Sequence, residues 1–408
     1  MRSQLEIPRL SLEERDRRWF LMREEMKRQD LDCLVLCGLP CEWDSKIAGA
    51  RYLSPVGGNA EFNFLVFPRE GEPTSFTLMP TFLGYWTRAQ NWVKDVRHKK
   101  GTWAKSIVSR LQELGLEKKR IGVDGLAGPV DPDGWFPYSV FTDILDSLPG
   151  ASLVNLNDTM ERMRMIKGPE EIGFLNEAAR LGDRMFEACL QTARPGVREC
   201  EVYGKMMEVM IGNGGEEPTL FLWASDAHPL PHPFRLPTMR SLEKGDMIIC
   251  EMHPKYGGYC THVERTFCLG EPEKEYLKIY DVCLEAYTRG MELFTPGAKI
   301  SETMNAVKEV VARKKMGICE LGIHGHGMSS LEYPRLRLHA PPGADEKVLA
   351  LIGDEFKTGM VFCFNIDLVD PDWRNGETGC VFAETVLVTE GKAKRMHHFP
   401  TDLQRIDI

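Results

Sequence analysis

The stretch "LEKGDMIICEMHPKYGGYCTHVERTFCLGEP" (Leu242–Pro272) reads as two buried strands, Met247–Pro254 and Tyr259–Leu269. Charged and imidazole side chains interrupt both otherwise apolar runs. Side chains two apart on a strand share a face, so Glu251 and His253 point into one cavity if Met252 points into the core. A second pair of strand-like segments, Met360–Asp367 and Ala383–Thr389, follows further along the chain, with Asp367 two residues after Asn365.

Two long helices precede each strand pair. Gly168-Pro169 breaks the chain, Pro169 suits a first helical turn, and Glu170 and Glu171 suit a helix N-terminus. That helix ends at Pro195-Gly196, and Glu199–Met210 begins the next. The second helix pair is Lys274–Leu293 and Ser301–Lys315. Two helices followed by strands, twice over, is a coarse internal duplication filling residues 159–408.

The first 158 residues read differently. Ser11 is an N-cap with Glu14 three residues on, opening a helix to about Gln29. Strands are expected at Asp32–Gly38, Phe62–Pro68, Thr74–Met79 and Lys119–Gly125, and helices at Thr102–Leu114 and Val140–Leu148. Alternating strands and helices make a small α/β domain.

The composition narrows the function. The chain has 408 residues, 27% of them charged, with a formal net charge of −9. An acidic chain of this kind gives no support to nucleic-acid binding. The twelve cysteines include no CxxC pair and read as buried free thiols in a reducing cytoplasm. The charged N-terminal stretch lacks a signal-peptide core, and no run of 18 apolar residues suggests a membrane span.

Several segments together resemble the creatinase/prolidase/aminopeptidase P superfamily. These are "MRMIKGPEEI" (Met163–Ile172), "ARPGVRECEV" (Ala193–Val202), the Leu242–Pro272 stretch, "GIHGHGM" (Gly322–Met328), "TGMVFCFNID" (Thr358–Asp367) and "AETVLVTEG" (Ala383–Gly391). "DCLVLCG" (Asp32–Gly38) followed by "ARYLSPVGG" (Ala50–Gly58) resembles the N-terminal domain more loosely. The resemblance implies an α+β chain. Its pita-bread catalytic domain (159–408) would follow a smaller, ribonuclease H-like α/β creatinase-type N-terminal domain (1–158).

In the metal-dependent members of that superfamily, two aspartates, a histidine and two glutamates bind two divalent ions. Here the corresponding positions are Glu251, His262, His326, Asn365 and Ala383, with Glu384 beside the last. The loop's usual second histidine falls on Tyr333. Two hard ions need several anionic oxygens, so this set implies loss of the usual binuclear site.

Two chemistries remain open. The first is creatinase-like and uses no cofactor, and it is the leading expectation: hydrolysis of a C–N bond in a small polar, zwitterionic molecule. A histidine of the loop before "KGD" would serve as base, either His232 or His228. Glu264 of "HVERTF" and His326 would act with it. Glu251, His262, Tyr333, Asn365, Asp367 and Glu384 would bind substrate, joined by Arg51 or Trp86 of the N-terminal domain reaching over the partner's site in a homodimer. The second is a single zinc, manganese or iron ion held by Glu251, His253, His262 and His326, in a hydrolase or a dimethylsulfoniopropionate-lyase-like enzyme. A non-catalytic binding protein is the third reading, and a standard Xaa-Pro peptidase is not expected. His324 reads as a support for its loop, and His397 and His398 as surface residues. The expected setting is a cytoplasmic homodimer acting on a small molecule, with no nucleic-acid or membrane partner.

Overall fold

The computed structural model describes residues 7–58, 61–128, 132–218, 220–232, 236–336 and 343–408. It forms two compact units, one ending at Arg164 and the other beginning at Met165.

In the first unit, α1 (Leu12–Arg28) starts where Ser11 Oγ accepts the Glu14 amide at 3.0 Å. Glu13 and Glu14 in its first turn and Lys27 and Arg28 in its last suit the helix dipole. Strands β1 (Cys33–Gly38), β2 (Asn63–Pro68), β3 (Thr74–Thr77), β4 (Asp95–His98), β5 (Arg120–Asp124) and β6 (Ser152–Asn155) form one sheet ordered β4-β3-β2-β1-β5-β6. Helices α2 (Ser45–Leu53), α3 (Pro80–Ala89), α4 (Trp103–Glu113) and α5 (Tyr138–Ser147) interleave with them. Cys33, Val35, Phe64 and Ile121 of the sheet pack with Ile107 and Leu111 of α4. α6 (Asn157–Met165) follows β6.

The second unit opens with α7 (Pro169–Thr192) and α8 (Glu199–Gly212), and α9 (Lys274–Leu293) and α10 (Ile300–Arg313) form its second helix pair. Its strands are β7 (Phe221–Asp226), β8 (Met247–Met252), the short pair β9 (Lys255–Tyr256) and β10 (Tyr259–Cys260), β11 (Val263–Leu269), β12 (Gly317–Gly325), β13 (Glu332–Leu336), β14 (Val361–Val369), β15 (Gly379–Cys380) and β16 (Ala383–Leu387). The large sheet is ordered β13-β12-β14-β16-β11-β8-β7. No helix among the described residues is long and apolar enough to cross a membrane.

The period of two sorts this sheet into a packing face and a chemical face. Ile248, Cys250 and Met252 of β8, with Val263 and Phe267 of β11, pack under Met185, Phe186 and Met206 of α7 and α8. Phe364 of β14 meets Tyr287 of α9 and Phe294 just beyond it. The alternate residues point the other way and form rows across the ladder. One row runs Glu251, Glu264, Ala383, Asn365, Gly322. The next contains Asp367 opposite Glu320, and another contains Cys363 opposite His324.

Candidate active site

The strand rows bring His253, His262 and His326 together, each almost wholly buried. One nitrogen from each lies within 4.8 Å of the others. The His253 and His262 ring centres are 4.3 Å apart, and those of His262 and His326 are 5.5 Å apart. The His253 and His326 rings are approached from behind at Nδ1, and His262 is fixed through its backbone. His253 Nδ1 lies 2.7 Å from Ser330 Oγ, while its Nε2 makes no hydrogen bond. His326 Nδ1 lies 3.9 Å from Cys260 Sγ, and its Nε2 also makes none. Thr385 accepts the His262 amide at 2.8 Å and donates to the His262 carbonyl at 2.7 Å. Burial, with His324, His253 and Lys167 nearby, holds the His326 imidazole well below its ordinary pKa and therefore neutral.

The loop carrying His326 is fixed by two further contacts. Lys167 Nζ donates to Glu332 Oε2 at 2.7 Å, and Glu332 Oε1 accepts the Met328 and Ser329 amides. At the β12 bulge between His324 and Gly325, a Cβ on Gly325 would lie 2.4 Å from the Tyr333 carbonyl oxygen, so only glycine fits. His324 donates from Nδ1 to the Ser330 carbonyl at 2.7 Å, supporting that loop.

Carboxylates line the neighbouring rows. Glu251 Oε1 lies 3.4 Å from His262 Nε2 and 3.7 Å from His253 Nε2. Glu264 Oε1 lies 3.2 Å from His262 Nε2 and accepts Asn365 Nδ2 at 3.3 Å. Asp367 reaches His232, whose Nδ1 is 3.1 Å from Asp367 Oδ2 and whose Nε2 is 3.6 Å from Glu320 Oε2. Burial, then the carboxylates of Glu264 and Glu320, push the Asp367 carboxyl well above the ordinary carboxylate range.

This last shift has a measurable sign. A raised acid in the fold means the native state binds more protons than the unfolded chain, so the stability it contributes is lost as pH rises from about 4. Asp367→Asn removes the penalty. The variant is expected to be more stable than the parent in urea by about 1–3 kcal/mol at pH 8, with the gain shrinking towards pH 4. A variant less stable than the parent at pH 8 would contradict this.

Of the residues singled out in the sequence, the structure gathers Glu251, His253, His262, Glu264, His326, Asn365, Asp367 and His232. His228 is elsewhere: its Nε2 lies 2.5 Å from Glu273 Oε1, and its ring stacks on Tyr276. Residues 233–235 of the same loop lie outside the described residues. Glu384 does not join the cavity. It is one position from Ala383, so it faces the helices, where Arg265 Nη2 donates to its Oε1 at 2.5 Å. Trp86 is buried within its own unit beside Val56 and Ala89, with its indole N–H donated to Glu61. Arg51 lies half-buried on α2. Tyr333 is wholly buried on β13. His397 is not a surface residue: it is buried, with Nδ1 3.1 Å from Asp183 Oδ1 and Nε2 3.1 Å from Thr261 Oγ1. Glu320 was not foreseen. It becomes visible only once β12 is paired with β14.

The profile of the metallopeptidase family M24 matches residues 173–390, and that of the creatinase/prolidase N-terminal domain matches residues 18–166. The chain belongs to metallopeptidase family M24. It is 28% identical over 267 residues to an Xaa-Pro dipeptidase of Pyrococcus furiosus, covering 65% of this chain and 72% of that one. It is 23% identical over 308 residues to a creatinase of Bacillus sp., covering 74% and 72%. The X-Pro aminopeptidase structure from Thermotoga maritima superposes with a TM-score of 0.77 at 19% identity, covering 95% and 99%, and shares the fold. The pita-bread architecture with a creatinase-type N-terminal domain, and the general character of a hydrolase of this superfamily, therefore hold.

Membership in M24 and the imidazole cluster overturn the expectation that no cofactor is used. That expectation counted lost carboxylates and gave too little weight to the imidazoles gained. Asn365 and Ala383 still do not suit a pair of hard ions. Three neutral-capable nitrogens with Glu251 beside them do suit a single borderline transition ion.

Proposed function

We propose that this chain is a metal-assisted hydrolase of a C–N bond in a small polar molecule. His253, His262 and His326 would hold one divalent transition ion with Glu251. The observation that carries this reading is the convergence of three buried imidazoles within 4.8 Å of one another, beside a separate His232–Asp367 contact. When bound, such an ion supplies a Lewis acid that polarises a substrate oxygen and lowers the pKa of water.

The chain's own residues supply the rest. Asp367 orients the His232 imidazole through Nδ1, and Nε2 takes a proton from water and returns it to the departing nitrogen. His232 is about one-fifth exposed in its side chain whereas Asp367 is sealed, so the proton-carrying group stands at the solvent side of the cavity. Burial of the remaining groups excludes bulk water and strengthens each electrostatic contact.

The relatives named Xaa-Pro dipeptidase keep dipeptides among the candidate substrates, although the sequence alone set them aside. A dipeptide is itself a small zwitterion with a C–N bond to cleave. Elemental analysis of the purified chain is expected to give close to one zinc, manganese or iron per chain. Chelation should abolish turnover on a panel of dipeptides and small amides or amidines. A chain that turns over substrate at full rate after metal is stripped below a tenth of an equivalent would refute the reading.

A further inference from the structure

We propose that His397 is a positioning residue for the candidate metal centre: oriented by Asp183, it braces Thr261 and so sets the spacing of His253 and His262. This rests on the reading of those two imidazoles as ligands, and it names the groups outside the cavity that hold them in place.

The two imidazoles flank one hairpin. β9 and β10 pair antiparallel, Lys255 with Cys260 and Tyr256 with Tyr259. The Thr261 amide donates to the Pro254 carbonyl at 3.1 Å, which closes the hairpin directly after His253 and directly before His262. Whatever holds Pro254 and Thr261 therefore governs where the two rings start.

Helix α7 holds both. Gly182 lies inside that helix, where glycine is less stable than alanine. Its lack of a side chain has a use here: a Cβ would lie 2.6 Å from Pro254 Cγ and 3.0 Å from His397 Cε1. Helix, hairpin and C-terminal segment thus meet at one backbone position. The next residue, Asp183, faces His397 Nδ1 with Oδ1 at 3.1 Å and accepts the His398 amide on Oδ2 at 2.6 Å. With Nδ1–H given to the carboxylate, the neutral ring presents its lone pair at Nε2, which accepts the Thr261 hydroxyl at 3.1 Å.

The order carboxylate, imidazole, hydroxyl is that of a nucleophilic triad. A hydroxyl at 0% exposure meets no substrate, however, so this one positions rather than reacts. His397 is equally sealed, and neither group has bulk water as an alternative partner. A second strut arrives from the same segment. The Met396 amide donates to the Thr385 carbonyl at 2.9 Å, and the Thr385 hydroxyl spans the His262 amide and carbonyl. Residues 396 and 397 therefore grip His262 through its preceding residue and through β16. Groups that orient a ligand from outside in this way tune how tightly it binds an ion.

The test measures zinc affinity of the full chain by competition with a chromophoric chelator, beside the urea-unfolding midpoint of the ion-free chain. Thr261→Val keeps the shape and removes the hydroxyl. It is expected to raise the zinc dissociation constant about tenfold to a hundredfold. His397→Phe should do the same, and Thr261→Ser should stay close to the parent. Val307→Ala, in the buried core of α10, should lower the midpoint and leave zinc affinity unchanged. Parental affinity in both Thr261→Val and His397→Phe would overturn the proposal. So would an equal loss in Val307→Ala, which would mark general softening, or a Thr261→Ser chain as weak as Thr261→Val. The Thr261 pair decides alone if His397→Phe does not fold. A parent that binds no zinc would sink the metal reading, and a second arm tests the positioning role without it. Nitrogen NMR of isotope-labelled histidine rings in the ion-free chain should show the His253 and His262 signals moving in Thr261→Val and returning in Thr261→Ser, with His228 in place. Unmoved His253 and His262 signals would overturn the positioning role whether or not zinc binds.

Discussion

Purified His326→Ala protein is expected to carry no tightly bound transition ion and to lose turnover by about 10²–10⁴-fold, while unfolding cooperatively. The size follows from its position. His326 is fully buried, its imidazole is neutral, and its Nε2 has no other use in the protein. Metal content measured beside the rate separates the roles. Loss of both supports a ligand, whereas full metal content with lost activity assigns His326 to substrate instead. Wild-type activity in the variant would remove it from the mechanism altogether.

Arg265→Leu is expected to cost about 3–5 kcal/mol in urea unfolding, because it strands a buried carboxylate. Arg265 and Glu384 are both wholly buried on the helix side of the sheet. The guanidinium also donates to the carbonyls of Glu264, Ala383 and Pro400. One side chain thus ties β11, β16 and the C-terminal segment together. The double variant Arg265→Leu/Glu384→Leu should recover much of the loss, since it removes the orphan charge. A single variant as stable as the parent would show that the pair contributes nothing net.

The scaffold was largely legible because its signals are local. Ser11 with Glu14, the Gly168-Pro169 break and the apolar runs around Glu251 and Asn365 each announce an element through a few neighbouring residues. Strands β7 and β12 were not announced. The Pro-rich loop after Asp226 hides the first, and Gly317, Gly322 and Gly325 dilute the apolar run of the second. Missing β12 meant missing Glu320, whose partner Asp367 is placed by strand register alone.

The site was legible in part for the same reason. Glu251, His253 and His262 sit close in sequence on two paired strands, so alternation alone brings them together. That His232 rather than His228 lies beside Asp367 depends on a contact spanning 135 residues, which no local pattern carries. Glu384 was misplaced by one step of the alternation, and one step is the whole difference between cavity and core. His397 was misplaced because its partner Asp183 is 214 residues away.

The two-faced sheet has an evolutionary consequence. The side chains that pack on the helices and the polar side chains that line the candidate site occupy alternate positions of the same strands, so a substitution on one face points away from the other. Ala383 lies on the cavity face while its neighbour Glu384 keeps its bond to Arg265 on the other face. Such a scaffold can drift from one reaction to another through single replacements, each tolerated by the fold before it becomes useful. Architecture and site composition are therefore specified by separate sets of residues in this chain.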